Sequence, residues 1–341
     1  MYRQRAQLLR RLAKFALVFM TGCAALSAAC INASAAFVNN REIEAFVEEL
    51  SANHQFDRRQ LRRWFSQARV QGGVLSAMAH PATARPWHEF RAGHITEARI
   101  RGGLDYWLRH AATLARASIE YGVPEEIVVA TIGVETFYGR RTGNFNVFDA
   151  LVTLAFAYPP RAELFRSELM QYLLLAREAR FDATSMKGSY AGAIGIPQFL
   201  PSSYRRYAVD FDGDGRRDLL NSPADAIGSV ANYYKSHGWR AGEAIAVSAE
   251  VRPESAIELL EMGVKPQLKV SELKRRGVSS AAPVEEGAEA ALIVVESETG
   301  PLYWLGLNNF YVITRYNRSI NYALAVHELA RELRARVRTG D

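Results

Sequence analysis

Along most of the chain apolar residues recur three and four positions apart, the spacing that predicts helices. Over residues 41–80, REIEAFVEELSANHQFDRRQLRRWFSQA reads as two short amphipathic helices, the first with Phe46, Val47 and Leu50 on one face. Asp57 is the expected cap of the second, which runs through Leu61, Trp64 and Phe65. After the Pro-interrupted HPATARPW, residues 96–121 read as one long helix, in which Gly102-Gly103 marks either close packing or a bend. Pro124 then opens PEEIVVATIGVETFYG, a nearly all-apolar helix with two glutamates in its first turn and Gly139 as its expected C-cap. Further helices are expected over 150–157 and 161–178, split by Tyr158-Pro159-Pro160.

The period changes twice more. A glycine-rich stretch from Gly188 to Trp239 is mostly loop until Asp225 starts a helix, and loops of this length in a compact domain usually have a function. From 242 to 305, IAVSAEV, QLKVSEL, AALIVVES and PLYWLGL are short apolar or alternating runs between Gly and Pro, which predict a small β-rich module. Helical spacing returns in NNFYVITRYN and NYALAVHELARELRAR, so residues 306–336 are expected to pack back on the helical part. The fold class is therefore mainly α with a β-rich insertion (α+β).

Composition changes this picture at the N-terminus. MYRQRAQLLRRLAK holds five basic residues and no acidic one ahead of the apolar FALVFMTGCAALSAAC and the small-residue run INASAA, the layout of a secretory signal peptide over 1–35. Three fates fit it: a cut after Ala35 or Ala36, retention as an anchoring helix, or lipidation at Cys23 within Met20-Thr21-Gly22-Cys23. Both cysteines, Cys23 and Cys30, lie in this leader, so a chain cut after Ala35 has neither disulfides nor thiolate metal ligands. The formal charge of +6 loses Arg3, Arg5, Arg10, Arg11 and Lys14 with the leader and falls to +1. That balance gives no support for nucleic-acid binding.

Two constellations carry chemistry. Glu135 lies near the end of its apolar helix beside Ile132, Val134 and Phe137. A carboxylate buried in such surroundings has its charged form disfavoured and can keep a proton near neutral pH, as a general acid must. Spacing alone leaves open a solvated glutamate or a partner of Arg140. In DFDGDGRRD, Asp210, Asp212 and Asp214 occupy positions 1, 3 and 5 of an EF-hand-type calcium loop, with Gly215 at 6, the backbone carbonyl of Arg216 at 7 and Asp218 at 9. Position 12 holds Asn221, so Asp225 is the expected closing carboxylate, with lowered affinity; sodium or an empty turn is the alternative.

The segments RIRGGLDYW (99–107), ATIGVETFYGR (130–140), FDALVTLAFAYPPRAELFRSEL (148–169), GSYAGAIGIPQFLPSSYRRYAVDFDGDG (188–215), SPADAIGSVANYYKSHGW (222–239) and NNFYVITRYNRS (308–319) together resemble the lytic murein transglycosylase B family from about Phe37 to the C-terminus. The resemblance implies a lysozyme-like helical core over 111–241 with its calcium-type loop at 210–225, a helical accessory segment over 37–110 and the small β-rich module. It implies cleavage of the β-1,4 bond between N-acetylmuramic acid and N-acetylglucosamine, leaving a 1,6-anhydromuramic terminus, with Glu135 as acid and then base. Ser189, Tyr190, Gln198, Tyr233, Asn309 and Tyr316 are the implied substrate contacts, Tyr316 being the one beside Glu135, Tyr190 a wall residue and Tyr233 a stacking surface. Tyr138 is expected only to pack.

No cofactor is expected for the chemistry; calcium would be structural. The implied partner is the peptidoglycan strand, with cell-wall synthesis proteins as further candidates, and the enzyme is expected to act as a monomer in the periplasm, soluble or attached to the outer membrane. Two other readings stay open: a lysozyme-like muramidase and a non-catalytic wall-binding scaffold. A two-carboxylate hydrolase would need Asp149 opposite Glu135, but N-capping is the simpler account of Asp149.

Overall fold

A computed structural model describes residues 40–80 and 85–339; the expected leader, the expected cut after Ala35 or Ala36, and Cys23 lie outside them. The chain divides into two compact units at Val70 and Gln71. The first holds α1 (Asn40–His54) and α2 (Arg58–Gln67). Asp57 caps α2 as expected, accepting from the Gln60 amide at 2.7 Å. Val47, Leu50 and Leu61 are fully buried, and Phe46 meets Phe65 edge to face.

The second unit is helical with one small sheet, the fold class expected from sequence. Its helices are α3 (Gly72–Ala79), α4 (Trp87–His94), α5 (Glu97–Arg109), α6 (Ala111–Tyr121), α7 (Glu125–Thr136), α8 (Val147–Ala157), α9 (Ala162–Ala179), α10 (Pro201–Tyr207) and α11 (Pro223–Ser236), followed after the sheet region by α14 (Asn308–Tyr316) and α15 (Ile320–Thr339). The short strands β1 (Phe145–Asn146) and β2 (Lys187–Gly188) pair antiparallel within the helical part. Central α7 is buried from Ile127 to Val134 and packs against α5, α6, α11 and α15. Such all-round burial explains why its sequence is apolar on every face. Its two first-turn glutamates are anchored: Glu125 accepts from Trp107 Nε1 at 2.6 Å and Glu126 from Arg334 Nη2 at 2.5 Å.

Residues 96–121 form two helices, not one. The break is at His110 (φ −117°, ψ 20°), whose amide closes on Tyr106 and Trp107, and not at the glycine pair. Gly102-Gly103 marks close packing instead: a Cβ on Gly103 would stand 2.5 Å from the Tyr138 hydroxyl and 2.6 Å from Leu333 Cδ2.

Within residues 246–306 the strands β3 (Ala246–Val251), β4 (Leu268–Lys269), β5 (Val278–Ser280), β6 (Glu289–Ser297) and β7 (Gly300–Gly306) form one antiparallel sheet in the order β4-β6-β7-β3-β5. QLKVSEL is a strand for only two residues; Val270–Arg275 is a helix, α13, and Pro253–Glu261 is another, α12. Leu259, Val270, Leu273, Val278, Leu292 and Leu305 make a separate apolar cluster under the sheet. Among the described residues, no helix is long and apolar enough to cross a membrane.

Candidate active site

Glu135 stands in the last turn of α7, half-buried where its neighbours are wholly buried. The helix ends one residue later, and Gly139 is not its cap. Phe137 is the C-cap in the left-handed conformation (φ 52°, ψ 50°), and Tyr138 (φ 63°) and Gly139 (φ 80°) continue in it. Left-handed backbone costs roughly 1–2 kcal/mol for a residue with a Cβ, so neighbouring contacts must hold this turn. They are visible: the Tyr138 hydroxyl donates to Arg99 O at 2.8 Å, its ring fills the space left by Gly102, Gly103 and Gly133, and Thr136 Oγ1 donates to Ile196 O at 2.8 Å and accepts from Gly139 N at 2.9 Å. Tyr138 therefore packs, as expected.

The Glu135 carboxylate accepts one hydrogen bond, from the Tyr322 hydroxyl at 2.7 Å. Burial pushes its pKa up to about 7, opposed only by that hydrogen bond, and no second carboxylate figures among the groups acting on it. A group so placed can donate a proton near neutrality and, once ionised, take one back. Asp149 is engaged elsewhere, accepting from Gln71 Nε2 at 3.3 Å, and the N-cap of α8 is Asn146, which accepts from the Asp149 amide at 2.9 Å.

Tyr316 and Tyr322 both lie close to the carboxylate, their ring centroids 6.3 Å apart and their planes 11° from parallel. Both phenols are held far above their ordinary pKa by burial and by the adjacent Glu135, so they stay neutral donors. Tyr316 donates to Pro197 O at 2.6 Å, tying α14 to the 188–199 loop. In that loop Ser189 Oγ accepts from Ala191 N and Ala193 N, and Gln198 (φ 53°) donates to Thr142 O and Gly195 O, both at 2.9 Å. Ser189, Tyr190 and Gln198 are half-buried and so keep surface open to a ligand.

Two expected contacts lie behind this surface. Tyr233 is buried, stacked on His237 at 4.0 Å and close to Phe199, Tyr207 and Tyr316, with its hydroxyl on Arg315 O, so most of its ring is taken up by protein contacts. Asn309 is fully buried, accepting from Arg240 N and donating to Arg240 O and Glu243 O, so it fastens the turn before the β module. Tyr322 was not singled out from sequence, because within NYALAVHEL it reads as one more residue of an apolar helix face.

In the 210–221 loop, oxygens of Asp210, Asp212 and Asp214 lie within 4.8 Å of one another, a donor set that suits a hard cation. Asp225 is not directed at them. It is fully buried and accepts from the amides of Phe211 and Asp218, both at 2.7 Å, and more distantly from Asp212. Asp218 turns to Leu220 N and Asn221 N. Gly215 has the left-handed φ of 86° that the sharp turn requires. The loop is tied to the carboxylate's surroundings through Ile196 N, which donates to Leu219 O at 2.8 Å across Gly195, where any Cβ would strike that same carbonyl at 2.3 Å.

The family model described as transglycosylase SLT domain matches residues 39–331. The chain belongs to the transglycosylase SLT family. Membrane-bound lytic murein transglycosylase B of Escherichia coli (strain K12) is 43% identical over 303 residues, which cover 86% of this chain and 82% of that one. The soluble lytic transglycosylase SltB1 of Pseudomonas aeruginosa superposes with a TM-score of 0.80 at 48% identity, covering 87% of this chain and 99% of its own. A lytic transglycosylase of Escherichia coli solved in complex with calcium gives a TM-score of 0.80 at 43% identity, over 89% of this chain and 96% of that one. Within the family, this chain falls with the lytic murein transglycosylases B.

Proposed function

We propose that Glu135 is the single acid/base with which this lytic transglycosylase cleaves the β-1,4 bond between N-acetylmuramic acid and N-acetylglucosamine in peptidoglycan. The observation that carries the assignment is a lone carboxyl whose pKa of about 7 is set by burial, with one hydroxyl partner and no second carboxylate acting on it. A two-carboxylate glycosidase needs a base or nucleophile across the bond. Here Glu135 protonates the glycosidic oxygen as the bond to C1 breaks, and the muramic N-acetyl oxygen relieves the charge at C1. The resulting carboxylate then takes the proton from the C6 hydroxyl as that oxygen bonds to C1, displacing the acetyl oxygen. Glu135 ends protonated, no water is consumed, and the product carries a 1,6-anhydro ring.

Ser189, Tyr190, Gln198 and Tyr316 are the groups we assign to the strand, while Tyr233 and Asn309 support them from behind. Asp210, Asp212 and Asp214, with the Arg216 carbonyl, would hold a calcium ion whose part is to fix the loop, while Asp218 caps the turn at Leu220 and Asn221. Residues 111–241 form the catalytic core in this reading, with 242–305 a module set into it. The enzyme acts in the periplasm after export, soluble or fastened by a lipid on Cys23.

The test is mass spectrometry of fragments released from purified peptidoglycan by the wild type and by Glu135→Gln. Products one water lighter than reducing muropeptides are expected, with a loss of about 10²–10⁴-fold in the variant. Hydrated reducing ends would make the enzyme a muramidase instead.

A further inference from the structure

The long strand β6 has unequal neighbours. β7 pairs with it over residues 291–297, whereas β4 reaches only Glu289 and Ala290. The sequence gives the cause: continuing the β4 register would set Pro266 opposite Leu292, and a proline has no amide to donate. On that side of β6 the last backbone bond among the described residues runs from Gln267 N to Ala290 O, at 3.4 Å. Antiparallel pairing turns every second residue's N–H and C=O away from the partner strand. The stretch after Ala290, about 20 Å long, therefore keeps a row of such groups with no backbone partner among the described residues.

The far end of this edge, residues 294–296, is one wall of a groove of about 530 Å³, a size common to binding clefts. Arg85 and Trp87 at the start of α4, with Arg318 and Asn321 at the start of α15, make the facing walls. Asn321 Nδ2 donates to Arg85 O at 2.8 Å and holds those walls together. Arg85 and Arg318 are exposed, and neither forms an ion pair with a described residue. Against them stands a single lining carboxylate, Glu296, so the groove is net positive. An edge merely protected against self-pairing carries its repelling charge on the strand itself. Here the two cations stand across from the strand, where the side chains of an added strand would meet them.

We propose that this edge docks an extended, acidic segment of a partner protein, which adds to β6 as a further strand while its carboxylates pair with Arg85 and Arg318. Main-chain bonds give strand addition its affinity and side chains its selectivity. Guanidinium holds carboxylate by paired, charge-assisted hydrogen bonds, which sets the sign of the partner. The test uses synthetic peptides of about seven residues, alternating valine with glutamate or valine with lysine, in titration calorimetry and amide hydrogen exchange. The acidic peptide is expected to bind with a Kd below about 1 mM and to slow exchange at residues 292–296. The double variant Arg85→Gln, Arg318→Gln should lose about tenfold or more of that affinity, with an unchanged thermal midpoint because both side chains are exposed. The acidic peptide methylated at every amide nitrogen should not bind, since it keeps its charge but can donate nothing to the strand. The proposal is overturned by no binding of the acidic peptide, by equal binding of the lysine peptide, by undiminished binding of the methylated one, or by protection confined to other parts of the chain. A dimer in sedimentation that the double variant abolishes would also overturn it, making the occupant a second copy of this chain.

Discussion

At Glu135 burial and hydrogen bonding act in opposite directions: burial raises the pKa to about 7 and the Tyr322 hydroxyl lowers it. Removing that hydroxyl in Tyr322→Phe should raise the pKa further, since the ionised form loses its donor. Cleavage needs the protonated acid, so kcat/KM falls as pH rises through this pKa, and the alkaline limb of the variant's profile should move to higher pH. A limb that stayed in place would show that another group sets it. Stability carries the opposite sign from the usual carboxylate. Because the folded pKa lies above the ordinary value of 4.5, the native state holds more protons between about 4.5 and 7, and stability falls as pH rises through that window. At pH 8 Glu135→Gln should therefore raise the unfolding free energy, by about 1–3 kcal/mol, and the gain should shrink towards pH 5 in thermal melts. The glutamate itself was legible in GVETFYG. Its partner was not, since the contact with Tyr322 spans 187 residues and helical periodicity assigns that tyrosine to the core.

At the level of elements, apolar periodicity located the helices, and what it missed has local causes. It did not see the break at His110, where the amide turns back on Tyr106 and Trp107 without Gly or Pro. Nor did it separate β4 from α13, because QLKVSEL alternates for a few residues before a helix whose Val270 and Leu273 pack beneath the sheet. The crossing of α5, α7 and α15 depends on the absence of a side chain at Gly103. Gly103→Ala should cost about 1–3 kcal/mol of stability by overpacking against Tyr138 and Leu333, measured by denaturant unfolding. In the β module Leu292→Ala should cost about 2–5 kcal/mol, and an unfolding transition separate from that of the helices would show that the module melts on its own.

Across the whole molecule the acidic loop and the turn after Glu135 are joined by the bond from Ile196 N to Leu219 O. Calcium bound by Asp210, Asp212 and Asp214 should raise the thermal midpoint in proportion to the logarithm of its concentration above Kd, and Asp212→Asn should flatten that dependence while anhydro products still form. The spacing of the three aspartates was enough to find this loop. The inward turn of Asp225 was not readable, because its partners are backbone amides and carry no sequence signature. The niche that receives Tyr138 is formed by Gly102, Gly103 and Gly133, and a Cβ at any of them would press on that one ring. Positions on two different helices and the turn after one of them thus share a single lock. Such a lock is inherited as a unit: among descendants of this chain, a side chain gained at one of those glycines should survive only where residue 138 has shrunk in the same lineage.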